Sequence, residues 1–182
     1  MTDPIFIGAT DENIEDLDAV TVISKHLAFA RRYTLSLLEG LDESDWFRQP
    51  IQGVTHIAWQ VGHIAMSQYG LGLFRQRGRS EVDLELMPSA FRKKFARGTT
   101  PNPDPGANPS PSEIQTIFDR VYQQVQEELP TFTLDHLNLA VEPPHAAFST
   151  NYGALLFAVD HEMIHAGQIG LLRRLLGKEP IR

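Results

Sequence analysis

The sequence predicts an all-α fold: a four-helix bundle with one long crossover between its second and third helices. Three observations carry this. Four segments repeat apolar residues at the i, i+3, i+4 spacing of an amphipathic helix. No segment shows a convincing strand-like alternation of period two. A long Pro-rich stretch separates the second helical segment from the third, as a connection crossing the molecule would. Together they describe helix packed on helix around one core.

The elements follow in order. Residues 1–14 are a mixed lead-in. The first helix is expected from about Glu15 to Glu39, with the stripe Val20, Ile23, Leu27, Ala30, Thr34, Leu37 and Leu41. Acids crowd its start (Glu12, Glu15, Asp16, Asp18) and Gly40 closes it. The second helix is expected from about Thr55 to Gln76. It is apolar nearly all round, which places it centrally in the core or against a partner chain. Gly62, Gly70 and Gly72 weaken it intrinsically, and close approach of neighbouring backbone is the expected compensation. Residues 77–109 form the crossover, charged and then Pro-rich; Ala90 to Phe95 is a candidate short helix, with Phe91 and Phe95 pinning it to the bundle. Ser110-Pro111-Ser112-Glu113 is a capping box with Pro at the first helical position, opening the third helix. Its stripe is Ile114, Ile117, Phe118, Val121, Tyr122, Val125 and Leu129, and Pro130 stops it. Residues 131–149 read as a second irregular connection. The fourth helix is expected from about Asn151 to Leu176, ended by Gly177. The 182 residues therefore read as one domain, 1–182, with a core over about 15–176.

Composition narrows the function. The net charge of -7 argues against nucleic acid as a partner, because phosphate binding needs a basic face. The arginines that cluster (Arg75, Arg77, Arg79) sit at a helix end, where they complement the dipole. With no cysteine, disulfides, iron–sulfur clusters and a thiol nucleophile are excluded, and any transition-metal site must use His with Asp or Glu. No signal peptide or membrane span is visible, so a cytoplasmic protein that does not enter a membrane is expected.

The most informative stretch is Asp160-His161-Glu162-Met163-Ile164-His165-Ala166-Gly167-Gln168. His161 and His165 are i and i+4 on a helix and project from nearly one face. Two imidazoles aimed at one point are most economically explained by a metal ion. The best third ligand is His63, in the middle of the most apolar helix. A single core histidine is ordinarily a satisfied hydrogen-bonding residue; three on core-facing stripes point to a shared ion. Gln168, below His161 on the wheel, is a candidate helper. Glu162, rotated by about 100°, is either an outer partner of the site or solvated. The letters also spell H-E-x-x-H, the zinc-protease signature. That reading needs a further ligand downstream, but Gln168 and Leu171 stand where Gly and His are required, and Glu179 lies beyond Gly177. Of the other histidines, His56 lines a pocket or lies on the surface, and His26, His136 and His145 have no assigned role.

Two segments, Ile57-Ala58-Trp59-Gln60-Val61-Gly62-His63-Ile64-Ala65 and His161-Glu162-Met163-Ile164-His165-Ala166-Gly167-Gln168-Ile169, resemble the DinB-like (YfiT-like) family of metal-dependent four-helix-bundle proteins. The stretch from Phe91 to Pro101 is similar as well, and the resemblance spans roughly residues 15–176. It implies a His-triad site in which His63, His161 and His165 hold zinc or nickel. It also implies a homodimer and a small-molecule substrate. Family members with known activities include transferases that use a low-molecular-weight thiol. A thiol-dependent S-transferase or a hydrolase is therefore the expected activity. The alternative is a non-catalytic metal- or ligand-binding dimer with a structural ion, and the H-E-x-x-H protease is a remote one.

Overall fold

The computed structural model describes residues 18–181 and is predominantly helical. Four helices are long: α1 (Ala19–Leu38), α2 (Ile57–Tyr69), α6 (Pro111–Glu128) and α8 (Asn151–Leu175). Four are short: α3 (Arg75–Arg77), α4 (Asp83–Leu86), α5 (Ser89–Lys94) and α7 (Leu134–Asn138). Strand β1 (Ala140–His145) pairs antiparallel with β2 (Phe148–Thr150).

The expected start of the first helix at Glu15, with the acids Glu12, Glu15 and Asp16, lies outside the described residues. Asp18 caps α1 by accepting from the Thr21 amide at 2.8 Å. Its stripe Ile23, Leu27, Ala30, Thr34 and Leu37 is buried as the spacing requires. Gly40 turns the chain out of the helix at φ +69°, a conformation costly for residues with a Cβ. Arg173 of α8 reaches this end of α1 and donates to the Leu37 carbonyl at 3.1 Å. It is buried, so it joins two helices as well as complementing the dipole of its own. The capping box of α6 is present: Glu113 donates its amide to Ser110 Oγ at 3.2 Å and accepts from the Ser110 amide at 2.7 Å.

Helix α1 packs on α8, and α2 lies against both α6 and α8. The all-round apolar character of α2 is thus used within one chain. A π-helical turn, Gly70–Phe74, carries α2 into α3 with helical backbone at both junctions. Gly62 and Gly72 do meet close neighbours, but these are side chains and not backbone. A Cβ on Gly62 would stand 2.5 Å from the Phe95 ring, and one on Gly72 would stand 2.9 Å from Val125 Cγ2.

The crossover holds more structure than its composition announces. Phe91 and Phe95 are buried with ring centroids 4.6 Å apart, pinning α5 to α2 as expected. Arg77 Nη2 donates to Asp83 Oδ1 at 2.8 Å and its Nε to Glu128 Oε2 at 2.6 Å, tying α4 to α6. The three clustered arginines therefore part ways: Arg77 is a structural clamp, Arg79 is exposed, and Arg75 turns towards a cavity.

The 131–149 connection corrects the expectation that the chain has no strand. β1 and β2 form a hairpin whose residues Val141 and Phe148 pack with Ala154 of α8. Only Val141 of β1 is buried, so no face alternates and the period of two is absent. Pro143 and Pro144 also remove two amide donors.

Candidate metal centre

The middle of α2 and the middle of α8 face each other, and the three expected histidines converge there. Their nearest ring nitrogens all lie within 4.8 Å of one another. Ring centroids are 5.2 Å apart for His63 and His161, 4.8 Å for His63 and His165, and 4.5 Å for His161 and His165. His63 and His165 are buried and His161 is half-buried.

Each buried ring is held by its inner nitrogen. His63 Nδ1 donates to the Phe95 carbonyl at 2.7 Å. That carbonyl can only accept, so in the neutral ring Nδ1 carries the proton and Nε2 keeps its lone pair. His165 Nδ1 bonds in the same way to Gln60 Oε1, and Gln60 is itself buried and donates to Thr55 Oγ1 at 3.0 Å. An N–H bound to an oxygen fixes tautomer and ring plane and raises ligand basicity, the usual support of a metal-ligating histidine. Trp59 stacks on His63 at 4.6 Å and 8°, and its indole N–H donates to Thr99 Oγ1 at 3.0 Å. Ser67 Oγ stands 3.4 Å from His63 Nε2, at the long limit of a hydrogen bond.

Electrostatics keep the cluster in the form that binds cations. Burial, and then neighbouring imidazole charge, holds His161 down to about 4 and His165 down to about 3. Burial likewise keeps His63 below the ordinary value, opposed by its bond to Phe95. All three rings are neutral at pH 7, each with a nitrogen free to ligate. The donor set therefore fits a borderline divalent ion such as zinc or nickel.

The histidines open onto a cavity of about 940 Å³. Its walls come from α2, the π turn, α3, the hairpin and Phe157 of α8. Ala154 and Ala158, two turns and one turn before His161 on α8, do not line the cavity: Ala158 packs into the main core, and Ala154 packs beneath Val141 and Phe148 of the hairpin.

Three weaker expectations are corrected. Glu162 is neither solvated nor a partner of the histidines. It is buried and accepts from Arg31 Nε of α1 at 3.0 Å. Arg31 also donates to the Phe118 carbonyl at 2.9 Å and to Gln68 Oε1 at 2.7 Å, and lies 3.4 Å over the Phe118 ring. Glu162 thus points to the α1–α8 seam, which removes the base that a protease reading of H-E-x-x-H requires. Gln168 is exposed and does not line the cavity. It lies about 10 Å along the axis from His161 and is rotated by about 20° towards solvent. His56 is neither a pocket residue nor a surface one. It caps α2, accepting from the Trp59 amide at 3.1 Å, with its Nε2 bonded to the Asn102 carbonyl at 3.0 Å.

Sequence reasoning passed over Gln60, the Phe95 carbonyl and Arg31. Gln60 carried a signal: a glutamine three residues before His63 inside an apolar helix. Arg31 carried one too, lying four residues after Leu27 and three before Thr34, on the buried stripe.

Gly62 couples the crossover to the site, because the Phe95 ring on Gly62 and the Phe95 carbonyl on His63 belong to one residue. Gly62→Ala must displace that ring, at a cost of about 1–3 kcal/mol for overpacking, and loosen the His63 bond with it. Melting and metal titration should both report the loss; a variant with wild-type values in both would break this link.

The sequence profile of the DinB superfamily matches residues 26–169. Among solved structures, a proposed DinB-family member from Exiguobacterium sibiricum 255-15 aligns with a TM-score of 0.60 at 18% identity. The alignment covers 91% of this chain and 97% of that one. At that identity the likeness speaks for the fold alone. A search of curated proteins gave no match.

Proposed function

The chain belongs to the DinB superfamily, and from that premise we propose that it is a metal-dependent enzyme acting on a small molecule. In this reading the long helices α1, α2, α6 and α8 form a four-helix bundle, crossed between α3 and α6. His63, His161 and His165 hold zinc or nickel through their outer nitrogens. The observation that carries the reading is the pair of inner nitrogens. His63 Nδ1 and His165 Nδ1 are each committed to a carbonyl oxygen, which leaves Nε2 of both as acceptors beside His161. Three neutral ligands leave a divalent ion with its charge intact and a position for another group. An ion so held lowers the pKa of a bound water or thiol, supplying a nucleophile at neutral pH.

The chain's own residues do the remaining work. Gln60 and the Phe95 carbonyl orient the ligating rings, Trp59 fixes the plane of His63, and the apolar cavity wall limits water. Transfer from a low-molecular-weight thiol, or hydrolysis, is the reaction class proposed. A homodimer is the proposed assembly. Ile164, Leu171 and Leu175, exposed on the outer face of α8, support it, and light scattering tests it.

The orienting bond gives a direct test. Gln60→Ala leaves the three histidines in place and should weaken metal binding by about 10–100-fold, as loss of an outer partner does. Zinc and nickel titration of chelator-treated protein reads it. Unchanged affinity would remove Gln60 from the centre. Chelation of the wild type should abolish turnover of any substrate found, with recovery on adding metal back.

A further inference from the structure

The cavity beside the histidines is apolar along one wall and is lined by two arginines. The apolar wall is a row of rings leading away from the centre. His161 and Phe157 have centroids 5.7 Å apart, Phe157 and Phe148 are 5.6 Å apart, and the Arg75 guanidinium lies 5.4 Å from the Phe148 centroid. Arg97, from the crossover just after α5, lines the same cavity. Neither Arg75 nor Arg97 forms an ion pair among the described residues, although the chain carries 23 acids against 16 basic residues. The contrast with Arg77 is direct: two residues on, it is consumed by Asp83 and Glu128. Among the described residues, Glu142 is the one carboxylate on the cavity wall, and it pairs with neither arginine. Two uncommitted guanidiniums at one cavity, in an acidic protein, form a receptor for an anion, since an arginine fork matches a carboxylate or phosphate.

We infer that the substrate is an amphipathic organic acid. Its acidic group sits on Arg75 and Arg97, and its apolar body lies along Phe148 and Phe157, which brings its other end to the histidines. The row also sets a length: the acidic group and the reacting group stand no more than two ring-to-ring steps and one ring-to-guanidinium step apart. The inference deepens the proposed metal reading and rests on it for the position of the reacting end alone; the arginine site itself needs no ion.

Calorimetric titration with 4-phenylbutyrate and its neutral amide, 4-phenylbutyramide, tests it on full-length protein, zinc-loaded and chelator-treated. The wild type should prefer the carboxylate by about 10-fold or more in both forms, as charge-assisted hydrogen bonds give. Arg75→Gln and Arg97→Gln should each cut that preference, and the double variant should lose it, with amide binding and zinc stoichiometry unchanged. Equal binding of the two probes by the wild type, no binding of either, or a preference that survives in the double variant would each overturn the inference. A preference present only with zinc and indifferent to both substitutions would also overturn it, assigning the anion to the metal. The same preference in wild-type protein that takes up neither zinc nor nickel would uphold the arginine site while the metal reading fell.

Discussion

His161→Ala gives a chain that folds but no longer holds the ion. The His161 ring makes no hydrogen bond among the described residues; it lies against the rings of His63, His165 and Phe157 at the edge of the cavity. Truncating a half-buried ring against open space costs the metal-free fold about 1 kcal/mol. The effect on metal is far larger. Disturbing an outer partner of a ligand already costs about 10–100-fold, and here a ligand itself is lost, so affinity should fall by more than 100-fold or so. Linkage makes this visible as stability. At a free concentration 100 times its dissociation constant, an ion stabilises the native state by about 2.7 kcal/mol. Zinc or nickel should therefore raise the melting temperature of the wild type and leave that of His161→Ala unmoved. A variant that keeps wild-type affinity would show that the ion, if any, binds elsewhere.

Arg31→Ala should be among the most destabilising single changes in the molecule. It removes the partner of Glu162, leaving a carboxylate 1% exposed to solvent with no cation beside it. It also frees the Phe118 carbonyl and the Gln68 amide oxygen, and deletes the packing of the guanidinium on Phe118 and Tyr122. Breaking a buried pair from one side costs about 3–5 kcal/mol, a large part of the 5–15 kcal/mol or so that holds a domain together. Chemical denaturation should show that loss. Arg31→Met combined with Glu162→Leu should recover much of it, because no charge is left stranded. A fall below about 1 kcal/mol in Arg31→Ala would mean that Glu162 finds water on its own.

These two substitutions separate what was legible in the sequence from what was not. His161 and His165 were readable because i and i+4 on a helix share a face whatever surrounds it. His63 was readable because a histidine in a nearly uniform apolar helix needs a reason. The capping box of α6 and the stripe of α1 are local patterns, and they survive in the fold. Glu162 is different. About 100° round the helix from His161, it faces a neighbour, and whether that neighbour is solvent, an ion or an arginine is decided by packing. The buried arc of α8 is centred near Ile169, Glu162 and Arg173, so His161 sits at its edge and Gln168 falls outside it. A wheel drawn from His161 alone puts Gln168 in the site. The hairpin was hidden for another reason. Its strands cover the cavity without burying a face, and proline occupies the positions where alternation would show.

The most direct measurement is a crystal structure of protein never exposed to chelator, with anomalous data at the zinc and nickel edges. The account predicts one ion per chain, bonded to Nε2 of His63, His161 and His165 at about 2.0–2.1 Å, with at least one position open to the cavity. Full occupancy of any other site, a fourth protein ligand closing this one, or the three imidazoles hydrogen-bonded to water with no ion after incubation with either metal, would contradict it.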